Sequence, residues 1–154
     1  MAGVRAGSVI LEANREYAQG RFQEALPLYE DALSMELDAR TRFVVLRNLG
    51  RIFLTLARID ELVRAQRRAD ARRAWTEAIG IREGGVDRAA VACECGLLCL
   101  EDQLLKRAAR CFKACVEYDT EHTHVAKLAH EKLGETSRLL GQAGRGPQAR
   151  IAAA

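Results

Sequence analysis

The chain's 154 residues are 49% hydrophobic and 29% charged, enough for one folded domain with a substantial core and incompatible with global disorder. Its 24 basic and 21 acidic residues leave a formal net charge of +3, too mild to argue by itself for nucleic acid. No apolar run nears the roughly 20 residues of a membrane span, and Val9-Ile10-Leu11 is broken at once by Glu12 and Asn14, so neither membrane insertion nor a signal-peptide core is expected.

Ala, Leu, Arg and Glu dominate and only two prolines interrupt, which favours helix. A first helix is expected over 7–19, ended by Gly20, where a left-handed backbone suits glycine. A second covers 22–35, with Pro27 near its first turns. A third starts near Asp38 or Thr41, either of which can cap it, and runs to about 57. Phe43-Val44-Val45-Leu46 is the best strand candidate, but its flanks carry helical spacing. A fourth helix covers at least 69–81, and Gly84-Gly85 is a break. Helices five and six are expected over 87–101 and 104–118. Asp119-Thr120 offers a stop and a new cap before helix seven, over 123–140. The stretches 1–5 and 142–154, the latter Gly- and Ala-rich with Pro147, are expected to be flexible and disordered respectively.

The pattern repeats. Small residues at Ala13, Gly50, Gly96 and Gly134 mark the odd helices at spacings of 37, 46 and 38 residues. The even helices share a small–aromatic–small–aliphatic quartet at steps of four, three and one. It reads Ala25, Tyr29, Ala32, Leu33, then Ala71, Trp75, Ala78, Ile79, then Ala108, Phe112, Cys115, Val116. Small residues on one helix admit large residues of a close neighbour.

With these residues the chain resembles the tetratricopeptide repeat (TPR) family. The first repeat carries Ala13-Asn14, Gly20, Phe22, Glu24-Ala25-Leu26, Tyr29 and Ala32-Leu33. The second has Asn48-Leu49-Gly50, Phe53, Ala71, Trp75 and Ala78-Ile79, and the third Gly96, Leu105, Ala108, Phe112 and Val116. The resemblance implies an all-α TPR-like α-solenoid over 6–141: seven antiparallel helices, about three repeats and a C-terminal capping helix, in a short right-handed superhelix. The family's usual proline after the second helix is missing. Phe53 to Trp75 spans 22 residues where Glu16 to Tyr29 and Cys99 to Phe112 span 13. The surplus of nine falls around 58–68 and predicts that helix three or four is lengthened by two to three turns.

In the resembled fold the odd helices line a concave groove that binds protein segments. The resemblance places Asn14, Tyr17, Arg47, Asn48, Arg51, Leu54 and Leu97 in it. Asn14 and Asn48 match places where one subgroup clamps a peptide's C-terminal carboxylate. Ile10, Ala90 and Glu94 depart from that clamp, and a glutamate there repels a carboxylate. Arg47 and Arg51, one turn apart, suit carboxylates; alternatively they pair with acids across the groove. The resemblance thus implies a protein-interaction module or adaptor whose partner is a protein offering an acidic or extended segment, with no nucleic acid expected. The alternative is a structural subunit of a larger cytoskeletal, ciliary or organellar assembly, held through the convex face or the basic insertion.

Arg64, Arg68 and Arg72 follow at i, i+4 and i+8, with Arg67 and Arg73 nearby, a possible patch for an acidic partner diluted by Asp60, Glu61 and Asp70. The odd number of cysteines, five, fits reduced thiols in the cytoplasm. Cys95/Cys99 and Cys111/Cys115 are each i, i+4 on facing helices, so four thiolates could meet. There is no short CxxC knuckle, however, and core packing is expected instead of a metal. His122, His124 and His130 lack the HExxH spacing. No phosphate loop, nucleophile elbow or dinucleotide fingerprint appears, so no catalytic residue or cofactor is expected and the chain reads as a non-enzyme.

Overall fold

The computed structural model describes residues 2–144, with side chains from Arg5 onward. Among them are seven α-helices and no strand: α1 (Ala2–Ala18), α2 (Phe22–Leu33), α3 (Ala39–Ile59), α4 (Arg64–Gly80), α5 (Gly85–Glu101), α6 (Leu105–Tyr118) and α7 (His124–Gly144). A short 3-10 turn, Arg82–Gly84, follows α4. The described residues form two compact units, one up to Gly84 and one from Gly85. The tail expected from 142 lies, beyond Gly144, outside the described residues. No helix among the described residues is long and apolar enough to cross a membrane.

In the first unit, Gly20 stops α1 at a φ of +73°. Arg21 N–H donates to the Glu16 carbonyl at 2.9 Å and Gly20 N–H to the Tyr17 carbonyl at 3.0 Å, the paired bonds of a glycine-terminated helix. The turn is braced by an ion pair between Arg21 and Glu16. This folds α2 back on α1. α3 begins at Asp38, whose carboxylate accepts from Thr41 N–H at 3.0 Å, the capping role expected for one of those two residues. Both helices flanking the insertion are lengthened. α3 runs 21 residues to Ile59 and α4 starts at Arg64, five residues ahead of the expected 69. The strand-like run Phe43–Leu46 lies inside α3, where Phe43, Val45 and Leu46 are buried.

The core of each unit follows the repeated quartet. Ala25, Tyr29, Ala32, Ala71, Trp75 and Ala78 are buried in the first unit, and Ala108, Phe112 and Cys115 in the second. In that second unit, α5 turns into α6 through Gln103, and α6 into α7 through Asp119. The Asp119 side chain accepts from Thr123 Oγ1 at 2.5 Å and from the backbone N–H of Glu121, Thr123 and Ala126 at 3.1–3.2 Å. One carboxylate therefore closes the corner and satisfies the first turn of α7. Of the four marked small residues, Gly50 and Gly96 lie in close helix contacts and Ala13 is buried. Gly134 makes no such contact: a side chain there would meet nothing within 4 Å.

Candidate functional site

The face expected to bind is assembled, in the first unit, around Tyr29. This ring projects from α2 and is fully buried. Its hydroxyl donates to Asn14 Oδ1 on α1 at 2.5 Å and accepts from Asn48 Nδ2 on α3 at 3.0 Å. Burial pushes the Tyr29 phenol up, so it stays protonated and able to donate. Asn14 and Asn48, the two residues that could have clamped a ligand, are thereby tied to each other through the core. Asn48 is buried.

The remaining first-unit residues of the expected face are half-buried: Tyr17 on α1 and Arg47, Arg51 and Leu54 on α3. Tyr17 stacks edge-on against Phe22 at 5.6 Å and Tyr29 at 6.5 Å. The Arg47 carbonyl accepts from Trp75 Nε1 at 3.2 Å, which pins this stretch of α3 to α4. Arg47, Arg51 and Leu54 follow at i, i+4 and i+7, one stripe of the helix. Leu97, half-buried on α5, belongs to the second unit.

The five arginines of the insertion do not stand as one bare patch. Asp70, buried on α4, accepts from Arg73 at 2.5 Å and Gln66 at 3.0 Å and pairs with Arg67 at 3.9 Å. Arg67 also lies over the Phe53 ring, 5.5 Å from its centroid. Arg64 Nε donates to the Ala57 carbonyl at 3.3 Å, and its guanidinium sits 3.7 Å from Glu61. Arg68 and Arg72 are half-buried.

Beside these arginines the α3–α4 corner carries an apolar feature, with Leu62 and Val63 of the insertion open to solvent rather than folded back on the helices. Leu62 is 96% and Ile59 70% exposed, and Val63 is exposed as well. Ile59 and Val63 border an open cavity of about 230 Å³ whose walls also include Leu26 and Leu56, with Asp60 and Arg67 at its polar edge. In the sequence these are the three large apolar residues of the run Ile59–Val63, set among charges at i, i+3 and i+4.

The cysteines group differently from the expected foursome. Cys95 and Cys99 of α5 and Cys111 of α6 hold their sulfurs within 4.8 Å of one another. Cys115 instead hydrogen-bonds with Cys93 and lies 4.0 Å from the Val125 carbonyl. Hydrogen bonds that the Cys95 thiol donates toward Cys111 and Cys99, with burial, push it up. Cys111 is pulled down by Cys95, but Cys99 and burial outweigh that and raise it to about 11. No disulfide links the five cysteines, and His122, His124 and His130 are exposed.

No protein-family model matches this chain, and no curated protein does. Solved structures do match. The crystal structure of the Sgt2 TPR domain from Aspergillus fumigatus superposes with a TM-score of 0.61 at 18% identity, over 92% of this chain and 83% of that one. Paired all-α hairpins, the recurring buried small–aromatic–small triplet and this likeness agree: the chain has the fold of a tetratricopeptide repeat domain.

Proposed function

We propose that the chain is a non-catalytic protein-interaction module of the cytoplasm, which holds an extended segment or helix of a protein partner on the α1–α3 face. The observation that carries this reading is the Asn14–Tyr29–Asn48 connection. It fixes α1 and α3 through the core, so that half-buried Tyr17, Arg47, Arg51 and Leu54 are presented on a rigid frame. A frame ordered beforehand loses less entropy on binding. In this reading the asparagines are rivets of the face rather than its clamps. The arginine forks exchange their present contacts for carboxylates of the partner, while Tyr17 and Leu54 supply apolar contact. Leu97 is a proposed contact of the second unit in its own right.

The test is the double variant Arg47→Glu/Arg51→Glu, with crosslinking and mass spectrometry in native extract to identify what wild type holds. The expected result is loss of the partner with helicity by circular dichroism retained. A partner retained at full strength would place the interface elsewhere.

A second reading is favoured by the exposed corner. The segment 58–73 holds six arginines against Asp60, Glu61 and Asp70, so the net +3 of the whole chain resides there and the rest is balanced. Beside that charge stand Ile59, Leu62 and Val63 and the 230 Å³ cavity. An acidic partner segment with apolar anchors fits both, as does membership in a larger assembly held through this insertion. Ile59→Asp/Leu62→Asp separates the readings: it removes the partner if the corner binds and leaves it if the α1–α3 face does.

A further inference from the structure

We propose that Cys95, Cys99 and Cys111 form a three-thiolate site for a soft monovalent cation, copper(I), enclosed between α5 and α6. Cys95 and Cys99 stand one turn apart on one face of α5, and Cys111 meets them from α6, with all three sulfurs within 4.8 Å. A trigonal centre with metal–sulfur bonds of about 2.3 Å puts its sulfurs about 4 Å apart. Closing the present triangle by less than ~1 Å reaches that geometry, within the range of small side-chain adjustments.

Packing alone does not ask for sulfur here. In the register that aligns Gly96 with Gly50 and Phe112 with Trp75, the three positions of the first unit are Leu49, Phe53 and Ala74, all buried and all hydrocarbon. The second unit replaces every one of them by a thiol. The donor set also selects the cation. Zinc wants four ligands, and the thiol that would complete the set, Cys115, is engaged with Cys93 and faces the Val125 carbonyl. The group contains no histidine or carboxylate. Three soft thiolates without a hard ligand suit copper(I).

Cys95 and Cys99 are buried, whereas Cys111 is half-buried and gives the ion a way in. Loading exchanges protons only. One copper(I) replaces three thiol protons, three Cu–S bonds form, and no electron is transferred. The resulting centre carries two negative charges, and Arg107, one turn before Cys111 on α6, lies close enough to act on the Cys111 charge and partly offset them.

The test uses the full chain, reduced and oxygen-free, titrated with the copper(I)–bicinchoninate complex. One equivalent of copper is expected to transfer, with three sulfur neighbours in the X-ray absorption spectrum. Cys111→Ser is expected to weaken uptake at least tenfold, and Cys115→Ser to leave it unchanged, with helicity followed by circular dichroism. No transfer, fewer than three sulfurs around the copper, or an affinity unaltered in Cys111→Ser would overturn the proposal. Should Cys111→Ser fail to fold, the sulfur count in the wild-type protein decides.

Discussion

Trp75 lies on Gly50 so closely that position 50 has no room for a side chain: a Cβ there would stand 2.1 Å from the indole Nε1 and 2.3 Å from Cδ1. The same nitrogen donates to the Arg47 carbonyl, so shape and a hydrogen bond fix one ring on one turn of α3. Phe112 repeats the relationship in the second unit, 2.7 Å from a Cβ built on Gly96. Each of these hairpins is thus held by a bulky ring of its second helix seated in a glycine notch of its first.

Gly50→Ala is therefore expected to destabilise despite alanine's better helix propensity. The propensity gain is about 1 kcal/mol, while forced overpacking costs ~1–3 kcal/mol or more. The ring is buried and cannot swing away, so the net loss is on the order of 1–2 kcal/mol. Gly134→Ala should move the other way, by up to ~1 kcal/mol, because nothing stands within 4 Å of its new methyl. Urea midpoints at unchanged slope measure both. Equal shifts of the two variants would refute the notch.

Tyr29→Phe isolates the hydroxyl that joins α1 to α3. Asn48 Nδ2 loses its acceptor while buried, which costs about 1–3 kcal/mol; Asn14 is exposed and turns to water. Adding Asn48→Leu to Tyr29→Phe removes the stranded amide and is expected to restore part of the loss. A full double-mutant cycle by urea denaturation reads the coupling. Additive losses would mean that the hydroxyl and the amide act separately.

The core was legible in the sequence where a helical stripe writes it. Steps of four and three keep Ala25, Tyr29 and Ala32 on one face, and the same holds for Ala71, Trp75, Ala78 and Ala108, Phe112, Cys115, all buried. The fourth member of each quartet, Leu33, Ile79 or Val116, is one residue further round and only half-buried. The start of α4 was legible only in part: the nine-residue surplus predicted a longer helix three or four without fixing its first residue. Arg64–Arg68 is polar on every side, and what makes it helical is the length of the α3–α4 hairpin rather than an amphipathic period. At the candidate site, spacing put Asn14 and Asn48 on the right helices but could not show that a tyrosine 15 and 19 residues away binds both. Asp70 reads in the sequence as mere dilution of a basic run, yet i±3 spacing lets it gather Arg67 and Arg73. The thiol grouping was half visible: i, i+4 spacing paired the cysteines along each helix, but the approach of α6 to α5 sends Cys111 to one cluster and Cys115 to another.

Gln103 occupies the turn position that Gly20 holds in the first hairpin. Its φ is 59°, with Leu104 N–H donating to the Cys99 carbonyl at 2.8 Å and Gln103 N–H to the Leu100 carbonyl at 3.0 Å. A side chain in the left-handed region costs roughly 1–2 kcal/mol, part of which glycine gives back as unfolded-state entropy. Gln103→Gly is expected to raise stability by about 0.5–1 kcal/mol, seen as a higher thermal midpoint. A lower midpoint would show that the glutamine side chain holds the corner.

Asp119 links stability to acid. Its hydrogen bonds, that from Thr123 Oγ1 foremost, hold the carboxyl below the usual range. The folded pKa is thus lower than the unfolded one. The stabilisation is complete above the unfolded carboxylate range, about pH 4, and is lost as pH falls through the folded value. Asp119→Asn cannot reproduce it, since the NH2 of an amide donates and meets an N–H whichever way it turns, that of Glu121 or those of Thr123 and Ala126. The variant is expected to be less stable than wild type at pH 7, with the gap narrowing on acidification below pH ~4. Glu16, Asp38 and Glu135 are also held low, but they are common to both proteins and cancel in the difference. Thermal unfolding of the pair from pH 7 to pH 3 measures the gap directly. A gap independent of pH would mean that the aspartate acts by shape and not by its charge.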